Sequence, residues 1–144
     1  MDNEKKEVVV VTSGHFNPLH KGHVEYLELA KKLGDKLIVI VNNDKQAMLK
    51  TGSIFMNEQD RMAIIKALRC VDEVFLSIDE DRTVCESLRA LKPDIFAKGG
   101  DRNAGEIPEG KVCEELGIKI IDGLGAKVEN SSRLRELFSG EKRK

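Results

Sequence analysis

The feature that most restricts the fold of this chain is a series of short apolar segments, each followed by a segment of helical character. The first apolar segment, residues 7–12, contains four consecutive valines. β-Branched side chains favour strands, and an uninterrupted apolar run is typical of a strand buried on both faces of a parallel sheet. Further strands are predicted at residues 36–41, 73–77, 94–98 and 118–122.

Helices are predicted between these strands, where apolar residues recur at helical spacing. Asn57 is expected to cap one helix, and Pro93 ends another because proline disfavours helical backbone in the residue before it. Residues 42–57 are predicted to be irregular, with a turn at residues 51–53. The predicted helices cover residues 22–33, 57–69, 82–91, 108–116 and 131–138.

This alternation predicts an α/β protein with a Rossmann-like, doubly wound five-stranded parallel sheet and helices on both faces. A domain typically has ~100–200 residues, so residues 1–144 are predicted to form a single domain. Residues 1–6 and 139–144 are expected to be frayed termini. Ligands of such sheets bind beyond the carboxyl ends of the strands, so the loops there are the candidate site.

Composition excludes several classes of function. The net charge is −1, from 24 basic and 25 acidic residues, so no overall field attracts nucleic acid or an anionic membrane. Only 4% of the residues are aromatic, which disfavours a protein that stacks single-stranded bases. No apolar run reaches the ~18 residues of a membrane span. Three scattered cysteines without CxxC spacing are expected to be small buried hydrophobes, and the expected compartment is the cytoplasm.

The most informative segment follows the first predicted strand, where all three histidines of the chain lie within nine residues. Exposed loop histidines, a metal site at His20 and His23, and a phosphate site are the possible interpretations. A zinc site usually needs three or four protein ligands, and no further histidine or cysteine accompanies this pair. A helix N-terminus binds phosphate, and Gly14 and Gly22 would let the backbone approach it closely. Phosphate binding is therefore the favoured interpretation, and no protein metal site is assigned.

Residues 14–23, with the sequence GHFNPLHKGH, resemble the HxGH signature of the cytidylyltransferase-like nucleotidyltransferase superfamily. The usual pattern is G-(T/S)-F-D-x-x-H-x-G-H. His15 stands where threonine or serine is usual, and Asn17 stands where aspartate is usual.

The resemblance extends over most of the chain. Lys50 matches a basic residue that small members place over the triphosphate, and Arg61 and residues 71–74 resemble a following "R…ALxxVDEV" stretch. Residues 130–135 resemble a C-terminal signature in which serine or threonine hydroxyls open a helix. The motifs occur in the family's order, which makes the resemblance specific.

The resemblance implies transfer of a nucleotidyl group from ATP or CTP to a small phosphorylated acceptor, with release of pyrophosphate. It implies Mg²⁺ as the cofactor that accompanies the triphosphate, and a homodimer. Nucleic-acid and membrane partners are not expected, because the net charge is close to zero. The implied catalytic residues are His20, His23 and Lys50. The implied nucleotide-binding residues are Ser13, Gly14, His15, Phe16, Gly22, Lys98, Gly99, Gly100, Asp101, Asn130, Ser131 and Ser132. The implied acceptor-binding residues are Asn17, Asn42, Asp44 and Arg61.

The substrates stay open at this point. The run from Lys98 to Asp101 is similar to the adenylyltransferase part of ADP-heptose synthesis enzymes, which favours ATP and a sugar or alditol phosphate such as a heptose 1-phosphate. The alternative to nucleotide binding at residues 99–101 is a simple turn. The alternative to ligand binding by Arg61 is a charge on a helix surface. Glycerol 3-phosphate with CTP, or FMN with ATP, are alternative substrates. A catalytically silent nucleotide-binding regulator is an alternative of a different class.

Overall fold

A computed structural model describes residues 7–16, 19–99 and 108–124, and these residues form a parallel sheet covered by helices. The sheet has five strands in the order β3-β2-β1-β4-β5, which confirms the predicted α/β architecture. The strands are β1 (Val9–Gly14), β2 (Lys36–Val41), β3 (Glu73–Leu76), β4 (Ile95–Gly99) and β5 (Lys119–Leu124). The helices are α1 (Lys21–Lys31), α2 (Asp44–Thr51), α3 (Glu58–Lys66), α4 (Cys85–Leu91) and α5 (Pro108–Leu116).

The central strand is β1, which pairs with β2 along its whole length and with β4 on its other side. The chain moves from β1 outward to β3 in one direction and from β4 outward to β5 in the other. Strand order therefore reverses between β1 and β4, which is where sheets of this kind hold their ligands. The loop after β1 and the first turn of α1 place the three histidines at this point.

Both faces of the sheet are buried, as the uninterrupted apolar runs predict. One face packs against α1 and α3, and the other packs against α4 and α5. The first core contains Val10, Leu27, Ala30, Leu37, Val39, Ile65 and Ala97, among others. The second contains Val11, Ile38, Ile40, Leu88, Phe96 and Val112, among others.

The prediction of an irregular segment at residues 42–57 is wrong, because α2 lies within it. Asn43 caps this helix by accepting a hydrogen bond from the Gln46 backbone, while the Gln46 side chain accepts one from the Asn43 backbone. This capping box makes up for a weak apolar signal, since α2 buries only Gln46 and Ala47. Gly52 ends the helix at a φ of 80°, a conformation that glycine adopts without steric cost.

Other boundaries differ by a few residues. The predicted turn at residues 99–101 begins too early, because β4 continues through Gly99, which pairs with Leu124 after an irregularity in the ladder. Helix α4 begins at Cys85 rather than at residue 82. Asn57 caps α3 as predicted, by accepting a hydrogen bond from the Asp60 backbone at 2.8 Å. The helix predicted at residues 131–138 and both predicted frayed termini lie outside the described residues.

Two expectations from composition can be compared with the structure. Cys113 is buried as expected, and burial raises the pKa of its thiol to about 11. Cys70 and Cys85 are only half-buried, so the expectation is confirmed for one cysteine of the three. Within the described ranges, no helix is long and apolar enough to cross a membrane.

Candidate active site

The loop between β1 and α1 is held by an unusual turn at Phe16. Its backbone has a φ of 51°, in the left-handed region that bulky residues rarely adopt. The Phe16 ring is 2% exposed, and a Cβ atom at Gly14 would lie 2.6 Å from its Cζ. The ring meets His23 edge-on, with the ring centroids 5.1 Å apart. Phe16 therefore packs against His23, and Gly14 leaves room for the Phe16 ring. Both residues were predicted to bind nucleotide, and contact between their backbone and a nucleotide remains a prediction.

His20 and His23 cap α1 for each other. The Nδ1 atom of His20 accepts a hydrogen bond from the Gly22 backbone, and Nδ1 of His23 accepts one from the His20 backbone, both at 3.1 Å. The two rings are stacked, with centroids 3.8 Å apart. Because each Nδ1 accepts, it must carry a lone pair, so the proton of each neutral ring is on Nε2. The loop thus presents a stacked pair of imidazole N–H donors at a helix N-terminus.

Gly22 makes room for this arrangement. A Cβ atom at this position would lie 3.1 Å from Cε1 and 3.3 Å from Nδ1 of His20. A side chain there would push the imidazole away from the backbone N–H that orients it. Gly22 therefore leaves room for the His20 ring at the start of α1, and close approach of its backbone to a phosphate remains a prediction.

The environment keeps His15 and His23 uncharged. Burial, followed by the charges of Lys50, Arg61 and Arg82, lowers the pKa of His15 to about 4. Burial, followed by His20 and the charge of Lys50, lowers the pKa of His23 to about 4. Both side chains are therefore hydrogen-bonding groups rather than cations near neutral pH.

These pKa values predict how the free protein responds to acid. The unfolded chain, with histidine pKa values near ~6.5, binds more protons than the native protein between about pH 6.5 and 4. The stability contributed by His15 and His23 is thus complete above pH ~6.5 and is lost as the pH falls toward 4. NMR titration of the histidine Hε1 resonances should give midpoints near 4 for both residues, and a midpoint near 6.5 for either would contradict the described geometry.

Lys50 lies in the last turn of α2 and is exposed. Its charge helps to lower the pKa of both His15 and His23, so Lys50 lies near these histidines, and its contact with a triphosphate remains a prediction. Lys50 forms no hydrogen bond or ion pair with any of the described residues. Its ammonium group is therefore available to an anion.

Arg61 is fully buried and ties the neighbouring loops together, so the surface-charge alternative is wrong. Its Nε donates a hydrogen bond to the carbonyl oxygen of Met56 at 2.9 Å. Its Nη1 donates to the carbonyl oxygens of His15 and Asn42, at 2.9 and 2.6 Å. Its Nη2 donates to the carboxylate of Asp44 at 2.8 Å. One guanidinium thus fixes the loop after β1, the end of β2 and the start of α2 relative to one another.

Three of the predicted acceptor-binding residues are hydrogen-bonded to one another in this network. The Asn42 side chain is 5% exposed and donates to Gln46 at 3.0 Å, and Asp44 pairs with Arg61. The arrangement explains how these residues shape the site, and direct contact with an acceptor remains a prediction for them. Asn17, the fourth, lies outside the described residues.

The other predicted nucleotide-binding residues lie on the β1–β4 side or beyond the described residues. Ser13 is half-buried near the end of β1, and the Lys98 ammonium lies 5.5 Å from the centroid of the Phe96 ring on β4. The predicted residues outside the described ranges are Gly100, Asp101, Asn130, Ser131 and Ser132.

Gln46 and Arg82 are two residues near the site that sequence reasoning missed. Gln46 is fully buried, and its Nε2 donates to the carbonyl oxygens of Asp81 and Thr83 at 2.7 and 2.8 Å. Asn43 and Gln46 have the N-x-x-Q spacing of a capping box, which would have revealed α2 and the helical position of Gln46. No local pattern marks Arg82, whose position depends on the packing of the β3–α4 loop.

Comparison with known proteins agrees with the geometry. The family model described as cytidylyltransferase-like matches residues 11–110. The FAD synthase of Picrophilus torridus is 32% identical over 130 residues, which are 88% of this chain and 92% of that protein. The bifunctional protein HldE of Pelobacter propionicus is 41% identical over 123 residues, or 84% of this chain. The chain spans only 23% of the length of that protein and of other HldE relatives.

A solved structure shares both sequence and fold with this chain. The lipopolysaccharide core biosynthesis protein from Thermoplasma volcanium is 31% identical and has a TM-score of 0.68. The match covers 81% of this chain and 96% of that protein. From the family match and from relatives of similar length, we conclude that the chain belongs to the cytidylyltransferase-like family of nucleotidyltransferases.

Proposed function

We propose that this protein transfers AMP or CMP from ATP or CTP to a small phosphorylated acceptor and releases pyrophosphate. The observation that carries this proposal is the stacked pair of His20 and His23 at the N-terminus of α1. Both rings have Nδ1 occupied by the backbone, which leaves their Nε2–H groups as donors. The helix N-terminus adds its own partial positive charge at the same place.

In the proposed reaction, an oxygen of the acceptor phosphate attacks the α-phosphorus of the nucleotide. A new P–O bond forms as the bond from the α-phosphorus to the bridging oxygen of the β-phosphate breaks, and pyrophosphate takes the electron pair. Negative charge builds on the oxygens around the α-phosphorus, so preorganised donors that meet this charge lower the barrier. His20 and His23 supply such donors through their Nε2–H groups, and Lys50 neutralises the phosphates. The roles of Ser131 and Ser132 toward the leaving pyrophosphate are carried over from the family resemblance alone.

Mg²⁺ enters this proposal as part of the nucleotide substrate. In the described residues, no group of three or more histidine, cysteine or carboxylate side chains could hold a metal ion. Mg²⁺ characteristically keeps several water ligands and binds substrate phosphates together with few protein groups. A triphosphate-bound ion is therefore compatible with the residues that the described site provides.

For the substrates, we favour ATP and a sugar or alditol phosphate resembling a heptose 1-phosphate. The similarity to HldE proteins and the sequence from Lys98 to Asp101 support this choice. FMN with ATP is the second candidate, because FAD synthases of similar length are among the relatives. Glycerol 3-phosphate with CTP is the third. The family resemblance also favours a homodimer, which sedimentation would test.

A panel of reactions can distinguish these functions. ATP and CTP are each combined with heptose 1-phosphate, glycerol 3-phosphate and FMN, with Mg²⁺ present, and pyrophosphate release is measured. We expect release with ATP and the sugar phosphate, and a new diphosphate-linked product by mass spectrometry. Release only with FMN or only with CTP would select an alternative substrate. Tight nucleotide binding with no release from any acceptor would overturn the transferase proposal in favour of a silent regulator.

A further inference from the structure

The segment between β3 and α4 holds one arginine in a fixed position near the site. Gln46 donates to the carbonyl oxygens of Asp81 and Thr83, the two residues on either side of Arg82. The Asp81 carboxylate also accepts from the backbone and hydroxyl of Thr83, at 2.9 and 2.7 Å. The Arg82 backbone is thus clamped from both sides, while its side chain is exposed.

A continuous series of hydrogen bonds connects this clamp to the histidine loop. Gln46 accepts from the Asn42 side chain at 3.0 Å, and the Asn42 carbonyl accepts from Arg61 at 2.6 Å. The same Nη1 of Arg61 donates to the carbonyl of His15. The positive charge of Arg82 is close enough to contribute to the lowered pKa of His15, after burial, Lys50 and Arg61. Gln46 and Lys50 lie one turn apart on α2, so the loop that carries Arg82 packs against the same helix as Lys50.

The nearby carboxylates have other hydrogen-bond partners, although Asp81 and Glu58 keep their negative charge. Asp44 pairs with Arg61, Asp81 accepts from Thr83, and Glu58 accepts from the Asp44 backbone at 2.8 Å. Neither Arg82 nor Lys50 has an ion-pair or hydrogen-bond partner in the part of the chain that the structure describes. An anion bound beside Lys50 and Arg82 would therefore be attracted by both charges.

His15 adds a hydrogen-bonding group near these two charges. Its Nδ1 is buried and has no hydrogen-bond partner among the described residues, whereas its Nε2 is not one of the buried atoms that lack a partner. The proton of the neutral ring is more stable on the nitrogen that can be solvated, so Nε2–H is the outward donor. His15 replaces a hydroxyl residue of the family pattern with an imidazole donor.

We propose that Arg82, together with Lys50 and His15, forms a subsite for the phosphate monoester of the acceptor. This inference rests on the proposed transferase function, and it assigns to the acceptor both Arg82 and His15, although the family resemblance implied that His15 binds the nucleotide. The strand order supports the acceptor over the nucleotide. Arg82 follows β3 at one edge of the sheet, whereas Lys98 and the strand-order reversal lie on the β4 side of β1. The acceptor thus enters from the β2–β3 side and the nucleotide occupies the β1–β4 side.

Kinetics of Arg82→Ala and Arg82→Lys test this subsite. With the acceptor that the substrate panel identifies, Arg82→Ala should raise the acceptor KM by about 10-fold or more, as expected for loss of a charge-assisted hydrogen bond. The nucleotide KM should stay within about twofold, and Arg82→Lys should recover part of the loss. Arg89→Ala is the matched control, because Arg89 pairs with Glu86 and Glu115 on α4 and α5, and it should leave both constants unchanged. An unchanged acceptor KM, or a raised nucleotide KM alone, would overturn the assignment.

A binding measurement separates this proposal from the proposed reaction. Inorganic phosphate is titrated into the wild-type protein and into Arg82→Ala while the His15 Hε1 resonance is followed by NMR. A saturable shift in wild type that Arg82→Ala loses would support the subsite even if no acceptor gave turnover. The same shift in both proteins, or no shift in wild type, would contradict the subsite even if the transferase reaction were confirmed.

Discussion

Removing the outward donor of His20 or His23 is expected to reduce kcat by about 10²–10³-fold, the loss measured when one preorganised donor is deleted from a charged transition state. Both rings have their Nδ1 atoms fixed by the backbone of the α1 N-terminus, so each Nε2–H is positioned before the substrate binds. Alanine at either position should produce this loss, as measured by pyrophosphate release. The double variant should show a much smaller reduction of kcat than the product of the two single reductions, because the stacked pair acts as a unit.

The capping role of the pair provides variants that isolate the catalytic role. Asparagine is a good N-cap, so His20→Asn keeps a side-chain acceptor for the helix backbone and removes the imidazole N–H. Glutamine is common at the third helical position of a capping box, which His23 occupies, so His23→Gln keeps the hydrogen bond from the His20 backbone. Urea unfolding should show near wild-type stability for both, whereas alanine should cost about 1 kcal/mol.

The outcomes of these variants are distinct. A loss of kcat in His20→Asn at unchanged stability would assign the effect to the imidazole donor. Turnover within about threefold of wild type in both His20→Asn and His23→Gln would mean that neither ring meets the transition-state charge, since a lost donor is worth at least ~10²-fold. Lys66→Ala, an exposed change on α3, serves as the reference for surface substitution.

The strands and the histidine loop could be predicted from sequence because their signals are local. Four adjacent valines favour a strand by their own stereochemistry, and burial on both faces follows from the absence of polar residues in the run. The position of His20, His23 and Gly22 at a helix start follows from the order of the elements. The spacing of the histidines in the sequence could not show that both imidazoles accept hydrogen bonds from the backbone. These hydrogen bonds fix the tautomers of the two rings.

Long-range contacts explain what the sequence could not predict. Arg61 lies 46 residues from His15 and 19 residues from Asn42, and its burial depends on the packing of α3 against β2 and β3. A sequence pattern cannot distinguish such an arginine from a surface charge. The family resemblance implied that Asn42 and Asp44 bind the acceptor. The structure shows that they also pair with Gln46 and Arg61, which hold that edge of the sheet together.

Replacing Arg61 with methionine is expected to lower the free energy of unfolding by about 3–5 kcal/mol, because several acceptors around a fully buried guanidinium lose their donor. Methionine fills much of the volume but leaves the carbonyl oxygens of Met56, His15 and Asn42 without their donor. Each buried acceptor that loses its partner costs ~1–3 kcal/mol unless water reaches it. Equilibrium unfolding in urea, followed by circular dichroism, measures the change.

A graded series shows whether the four hydrogen bonds of Arg61 carry this stability. Arg61→Lys keeps the charge, but a compact ammonium cannot span acceptors on three separate segments, so it should recover less than half of the loss. Asp44→Asn should cost less, because an amide oxygen still accepts from the guanidinium and Asp44 is one-third exposed. Arg69→Met, an exposed change just beyond α3, should stay within about 0.5 kcal/mol of wild type. If Arg61→Met does not fold, Arg61→Lys and Asp44→Asn still decide the matter, since wild-type stability in both would show that the buried network contributes little.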